Sequence, residues 1–311
     1  MKKYLAYLLL TVLTISCSLI DTEDDGHGIS MEEVPVMLNV FASELEMDEP
    51  DSKAANPLDP VVENTFTNLW LLQYGEDNRL IQSDTVLLDH PVLGTELKVK
   101  LKKSQNSTLV VIANMLNTHG DDPEWPSSGA FKWGEHGGGS LYDLRNKLFA
   151  CSLKAADQDH LFMTGITNLD IDDSAAENGI SVDLMLSRLA SKFNVTIKSA
   201  TPNKYSNVRI QMINCPTKMS LFPDEISLTP PTDLEEYDAQ QVCGVGEYLG
   251  TDASKSYYFY ANENLCSARD KQIKLRINAD KEGTPVQKDL SVSSDGSTYR
   301  NTYYHIHITL K

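Results

Sequence analysis

Short runs in which apolar residues recur at every second position are spread along this chain from residue 34 to residue 310. Val34, Val36, Leu38 and Val40 alternate with Pro35, Met37, Asn39 and Phe41. Leu97, Val99 and Leu101 alternate with Glu96, Lys98, Lys100 and Lys102, and Val208, Ile210 and Met212 with Arg209 and Gln211. Ile273, Leu275 and Ile277 alternate with Lys274, Arg276 and Asn278, and Tyr304, Ile306, Ile308 and Leu310 with Tyr303, His305, His307 and Thr309. Successive strand side chains point to opposite faces, so a period of two marks a strand with one face in a core. A chain built of many such runs, with turn-forming residues between them, is confined to layered sheets and points to β-sandwiches. Residues 65–74 (TFTNLWLLQY) read as a further strand. Residues 109–113 are apolar without interruption, the pattern of a central strand buried on both faces. Pro35 lacks an N–H, which predicts a sheet-edge position for the first strand.

Two stretches carry a different period. Leu141, Leu144, Leu148 and Cys151 are spaced by three and four, predicting a helix. Val182, Met185, Leu186, Leu189 and Phe193 predict a second amphipathic helix, running into a strand at 194–197. The fold expected is mainly β, two β-sandwich domains in tandem over 31–193 and 194–311, with a few short helices. At 311 residues the chain is long enough for two cores. Residues 44–60 are polar, acidic and proline-bearing, a loop or linker that contains Lys53.

The N-terminus reads as a leader. Lys2 and Lys3 precede a mostly apolar run over 5–15, too short to cross a bilayer and of the length of a signal-peptide core. It ends in Leu13-Thr14-Ile15-Ser16-Cys17, similar to the lipobox of a bacterial lipoprotein, with Thr14 where leucine is commoner. Residues 1–17 are thus expected to be a lipoprotein signal peptide ending at a palmitate-bearing Cys17. Residues 18–30, with Asp21, Glu23, Asp24 and Asp25, are expected to be an acidic tether. The predicted location is the cell outer membrane, lipid-anchored and surface-exposed, since several acyl chains on one cysteine hold a protein stably. Loss of the two leader lysines takes the net charge from −17 to about −19. Nucleic acid is excluded as a partner by that balance, because phosphate binding needs clustered Lys and Arg.

No catalytic residues, cofactor or metal site emerge. Residues 134–139 (GEHGGG) are similar to an esterase oxyanion loop, but no GxSxG elbow accompanies them. Asp170, Asp172 and Asp173 fail the calcium-loop pattern, with Ala175 and Ser181 where Gly and Glu are required. His305 and His307 share a strand face without an evident third ligand. Cys151, Cys215, Cys243 and Cys266 allow three pairings. Cys243 with Cys266 is the favoured disulfide, and four buried free thiols are the equal alternative. Trp125 and Trp133 lie in a glycine-rich loop over 117–140, where they either stack on a ligand or pack the loop down.

Six stretches carry a family resemblance. They are Thr67-Asn68-Leu69-Trp70-Leu71-Leu72-Gln73-Tyr74, Val110-Val111-Ile112-Ala113-Asn114, Met163-Thr164-Gly165, Leu186-Ser187-Arg188-Leu189-Ala190-Ser191-Lys192, Tyr257-Tyr258-Phe259-Tyr260-Ala261-Asn262-Glu263-Asn264-Leu265 and Arg300-Asn301-Thr302-Tyr303-Tyr304. In that order, behind a lipoprotein signal, the chain resembles the fimbrillins, the type V pilins of Bacteroidota. The resemblance implies two transthyretin-like β-sandwiches, no enzyme activity and a role in a cell-surface fimbrium that supports cell adhesion. Its implied partners are other fimbrial subunits, the outer membrane through the lipid anchor, and a host or bacterial surface ligand. It also implies assembly by donor-strand exchange. A trypsin-like protease cuts after a basic residue, the first strand leaves, and a strand from the next subunit fills the groove. Here the first strand offers Val34, Val36, Leu38 and Val40, and Lys53 is the matching basic residue. Stalk subunits of the family usually cut at Arg and continue beyond the closing strand. This sequence has no Arg before Arg79 and stops at Lys311, which favours an anchor or terminal position. The reading from another class is a monomeric surface lipoprotein that binds glycan or a host protein through the 117–140 loop.

Overall fold

The computed structural model describes residues 32–43, 46–47, 64–115, 139–153, 161–172, 179–223, 228–253, 255–266 and 268–311. In chain order the elements are β1 (Glu33–Ala42), β2 (Glu46–Met47), β3 (Phe66–Tyr74), β4 (Leu80–Val92), β5 (Gly94–Lys102), β6 (Ser104–Ala113) and the helix α1 (Leu141–Arg145). There follow β7 (Leu148–Ala150), β8 (Met163–Ile171), β9 (Ile180–Arg188), β10 (Ala190–Ser199), β11 (Tyr205–Ile213), β12 (Cys215–Pro216) and β13 (Lys218–Ser220). The last are β14 (Leu234–Glu235), β15 (Gln240–Gln241), β16 (Ser256–Asn262), β17 (Lys274–Lys281), β18 (Thr284–Ser291) and β19 (Thr302–Leu310). The protein is mainly β, as its two-residue period dictates.

Seven strands form one sheet in the order β4-β3-β6-β8-β9-β1-β5. Two four-stranded sheets, β16-β10-β19-β2 and β15-β11-β17-β18, take nearly all their strands from residue 190 onward. The short pairs β12-β14 and β13-β7 lie beside them. The seven-stranded sheet encloses one core, to which β1 gives Val34, Val36, Leu38 and Val40, β3 gives Leu69 and Leu71, and β6 gives Leu109 and Val111. A second core takes Trp70, Leu72, Tyr74, Val110 and Ile112 from the opposite faces of β3 and β6. There they meet Phe193 and Val195 of β10, Ile210 of β11, Leu275 of β17 and Tyr304 of β19. The uninterrupted apolar run of β6, and the Leu69–Leu72 stretch of β3, are thereby explained, because each strand has a core on both faces. Residues Glu32–Lys311 form one compact unit.

Three expectations are corrected. The helix expected over 182–193 is a pair of strands, β9 and β10, meeting at Leu189. Val182, Leu184, Leu186 and Arg188 are all buried at a period of two. The false helical spacing arose because buried positions switch from even to odd numbers at the break at Leu189, towards Phe193, Val195 and Ile197 of β10. The helix expected from Leu141 to Cys151 stops at Arg145. Ser140 caps its first turn by accepting from the Asp143 N–H at 3.1 Å, and Leu148–Ala150 leaves to pair with β13. Finally, β1 is not an edge strand, for it runs antiparallel to β5 and parallel to β9. Pro35 is tolerated because pairing with β9 begins only at Val36, opposite Ile180.

Candidate functional site

The site with the most evident functional geometry is β1 in its groove. The side chains of Val34, Val36, Leu38 and Val40 are at most 1 % exposed. Main-chain ladders on both flanks and four alternate apolar groups in one core are the two ingredients of recognition by strand addition. Its outer face, Glu33, Pro35, Met37, Asn39 and Phe41, is mixed polar and apolar and only partly covered. Asn39 donates to the Asp183 carboxylate at 2.7 Å and to Ser181 Oγ at 3.3 Å. Glu33 meets Lys102 at 3.1 Å and Lys100 at 3.7 Å, and the Lys102 hydrogen bond holds the Glu33 carboxyl below the usual carboxylate range.

β1 is also what ties β5 into the sheet. β5 has β1 as its ladder partner on one side. On its other side stand side chains from β3 and β4. Gln73 exchanges two bonds with the Lys102 backbone, donating to its carbonyl at 2.7 Å and accepting its N–H at 2.8 Å. Gln82 donates to the Lys100 carbonyl at 2.7 Å. The sheet thus curls until its two edge strands, β4 and β5, are bridged by glutamines instead of a ladder. A buried Gln side chain satisfies both backbone groups it faces, which removes the penalty of an open edge inside the fold.

The chain leaves β1 at a corner built from the resemblance motifs. The Ser43 N–H donates to the Leu186 carbonyl at 2.8 Å, extending the β1–β9 pairing by one residue. The Ser43 carbonyl accepts from Arg188 Nη1 at 2.8 Å, and the same nitrogen donates to Asn301 Oδ1 at 2.7 Å. Arg188 Nη2 donates to Asn64 Oδ1. Arg188 is only 1 % exposed, one of the largest fully buried side chains of the described residues. Next to it, β2 pairs in parallel with Thr302 and Tyr303. Arg300 holds Glu263 in a part-buried ion pair at 2.6 Å and also donates to the carbonyls of Leu221 and Phe222. On β10, Lys192 Nζ sits 5.2–5.9 Å from the ring centres of Tyr303, Tyr258 and Tyr260. Arg188, Lys192, Glu263, Arg300 and Asn301 come from motifs scattered over more than a hundred residues. Their residue types were visible in the sequence, but the pairing of Arg188 with Asn301 and of Arg300 with Glu263 was not.

The other predicted positions divide into two groups. Cys17, Lys53, Trp125 and Trp133 lie outside the described residues, as does Asp173. The Cys243–Cys266 disulfide is a correction, since all four described cysteines are free thiols. Cys243 stands by Tyr257 at the start of β16, where the Tyr257 hydroxyl donates to the neighbouring Val242 carbonyl at 3.4 Å. Cys266 lies beyond the far end of that strand, so the pair is roughly twice as far apart as the ~7 Å Cα limit for a disulfide. Burial raises the Cys151 thiol to about 12 and pushes Cys215 up further. Both therefore behave as small apolar groups. The Asp170 carboxylate accepts the Asn106 N–H at 2.7 Å, serving the irregularity in the β6–β8 pairing. His305 and His307 stack at 6.0 Å, with burial lowering the His305 pKa, and His307 Nδ1 lies 2.6 Å from Thr196 Oγ1.

No protein-family profile matches the sequence, and no curated protein matches it. Solved structures do. The tip fimbrial protein Mfa3 of Porphyromonas gingivalis matches with a TM-score of 0.59 at 12 % identity, over 89 % of this chain and 94 % of its own. A fimbrial assembly protein of Parabacteroides distasonis matches at 0.52 and 13 % identity, over 89 % and 91 %. A candidate cell adhesion protein of Bacteroides eggerthii matches at 0.61 and 13 % identity, over 91 % and 88 %. The chain has the fimbrial-protein fold. Within that fold the groove of β1 and the Arg188 corner are formed by this chain's own residues.

Proposed function

We propose that this protein is a subunit or membrane anchor of a cell-surface fimbria, built in by exchange of its first strand and supporting adhesion. The observation that carries the reading is β1 itself. Four alternate side chains of this strand are fully buried between two ladders, yet the strand is the first element of the compact unit. Lys53 is the sole basic residue between Ser43 and Asn64. One cut there separates the strand from the body. Removal of β1 leaves unpaired N–H and C=O groups on β9 and β5 beside four empty apolar pockets, and a donor strand supplies both needs at once. The fold shared with fimbrial proteins supports the role. Cys17, as a lipidated residue, holds the protein at the outer membrane, and no catalytic step is assigned.

The test is in cells. Cys17→Ala should abolish labelling by a palmitate analogue and release the protein from membranes. The wild-type protein should appear in a ladder of subunit complexes on mild SDS gels, and a chain with Val36 and Leu38 both changed to Asp should not. Undiminished labelling of Cys17→Ala would remove the anchor from the account. Absence of any ladder or co-purifying fimbrial subunit would remove the fimbria.

A further inference from the structure

Arg188 occupies a position that the strand-exchange scheme leaves without a role. Its guanidinium holds the Ser43 carbonyl at 2.8 Å, and it also holds the side chain of Asn64. These two residues stand on opposite sides of Lys53 in the sequence. A cut after Lys53 therefore breaks the chain between two groups that remain bound to one buried cation. Asn301 Oδ1 shares the same nitrogen at 2.7 Å, and the Asn301 N–H donates to the Ala190 carbonyl at 2.9 Å, fixing the acceptor to β10. The planar guanidinium can serve three acceptors from three segments at once, which a lysine ammonium on the same stem cannot match in geometry. Hydrogen bonds from an ionised donor away from water are stronger than neutral ones. The β2 pairing with Thr302 and Tyr303 fastens the same outgoing piece to the same corner.

We propose that Arg188, set by Asn301, is the residue that retains the first strand after the connection is cut. On this view cleavage makes β1 replaceable but does not discharge it. The strand stays seated until an incoming strand competes for the groove, so the apolar pockets are not left open in the interval. The proposal rests on the reading of β1 as an exchangeable strand, and it makes Arg188 a positioning residue for that exchange.

The experiment measures release of the N-terminal fragment from protein briefly treated with trypsin and shown by mass spectrometry to be cut after Lys53. Size-exclusion chromatography over time gives the half-time of loss. Wild-type nicked protein should keep its fragment through the column. Arg188→Gln should lose it at least ten times faster, and Asn301→Gly, which keeps a residue suited to the φ of 55° at that position, should lose it several times faster. Leu275→Ala, buried in the other core, supplies a destabilised control whose release should stay within twofold of wild type. If Arg188→Gln does not fold, Asn301→Gly decides. The proposal is overturned if wild-type nicked protein sheds its fragment at once. It is overturned equally if both variants match wild type, or if Leu275→Ala accelerates release as much as they do. Addition of excess peptide covering residues 33–43 separates this from the parent reading. If the fragment leaves and no peptide replaces it, strand exchange is wrong, whereas the retention role is judged on the release rates alone.

Discussion

Single residues in the seven-stranded sheet are constrained by very short distances. Gly165 is the plainest case. A Cβ added there would lie 2.7 Å from the Met185 carbonyl oxygen and 2.9 Å from Leu186 Cδ2, so β8 approaches β9 as closely as only glycine permits. Gly165→Ala is predicted to cost about 1–3 kcal/mol through overpacking, read as a lower urea midpoint with unchanged slope. Leu38, at 0 % exposure, is predicted to cost about 2–5 kcal/mol when changed to Ala, measured the same way. A third prediction follows from Glu33. Its folded-state pKa is depressed, first by the Lys102 hydrogen bond, so its contribution is present above the unfolded carboxylate pKa. That contribution is lost as pH falls through the lower folded value. The pair is partly exposed, at 28 % for Lys102 and 40 % for Glu33, and Glu33→Gln should therefore cost at most about 1 kcal/mol at pH 7. The difference from wild type should vanish in acid below the depressed pKa. A difference that grows in acid would show that the sign is wrong. At this scale the sequence was informative about burial and silent about partners. Nothing in Met163-Thr164-Gly165 says which neighbour the glycine must clear, and nothing in Leu186-Ser187-Arg188 says that Arg188 will find Ser43, Asn64 and Asn301. Those contacts span 113 to 145 positions.

Among the elements, legibility followed the number of covered faces. Strands with one buried face, such as β5 and β17, announced themselves by alternation. β6, with cores on both sides, announces itself by an unbroken apolar run, and β3 by a stretch rich in large apolar groups. The β9–β10 pair gives an apparent period of three and four because the buried parity changes at Leu189, between Leu186 and Phe193, and the apolar but 65 % exposed Met185 adds to the impression. The edge position expected from Pro35 failed for a related reason. Proline excludes only a ladder bond at its own nitrogen, and the β9 pairing starts one residue later. The dependence of β5 on β1 could not be read from sequence at all, since it arises from the curl that brings Gln73 and Gln82 to the other side of β5. It yields an element-scale prediction. In nicked protein whose first strand has been displaced, backbone amides of β5 should exchange with deuterium much faster, while Leu109–Ala113 of β6 should keep their protection. β6 lies between β3 and β8 and loses neither neighbour when β1 leaves. Equal protection of both strands would mean that the glutamines alone hold β5.

For the molecule as a whole, strand exchange requires one separable strand and a self-sufficient remainder. The second core draws on β3, β6, β10, β11, β17 and β19 and contains no side chain of β1, so loss of the first strand empties one core and spares the other. A fold of this kind is stable while β1 is seated and sticky once the strand is removed. The central claim is that β1 is a replaceable part of the fold. Native mass spectrometry of protein cut after Lys53, incubated with a mass-labelled peptide of residues 33–43, tests it most directly. The account predicts loss of one N-terminal fragment and gain of one labelled peptide per chain. No gain is predicted when Val36 and Leu38 of the peptide are both Asp. Nicked protein that keeps its own fragment against a large excess of peptide, or that sheds it and remains folded and monomeric without a replacement, would contradict the account.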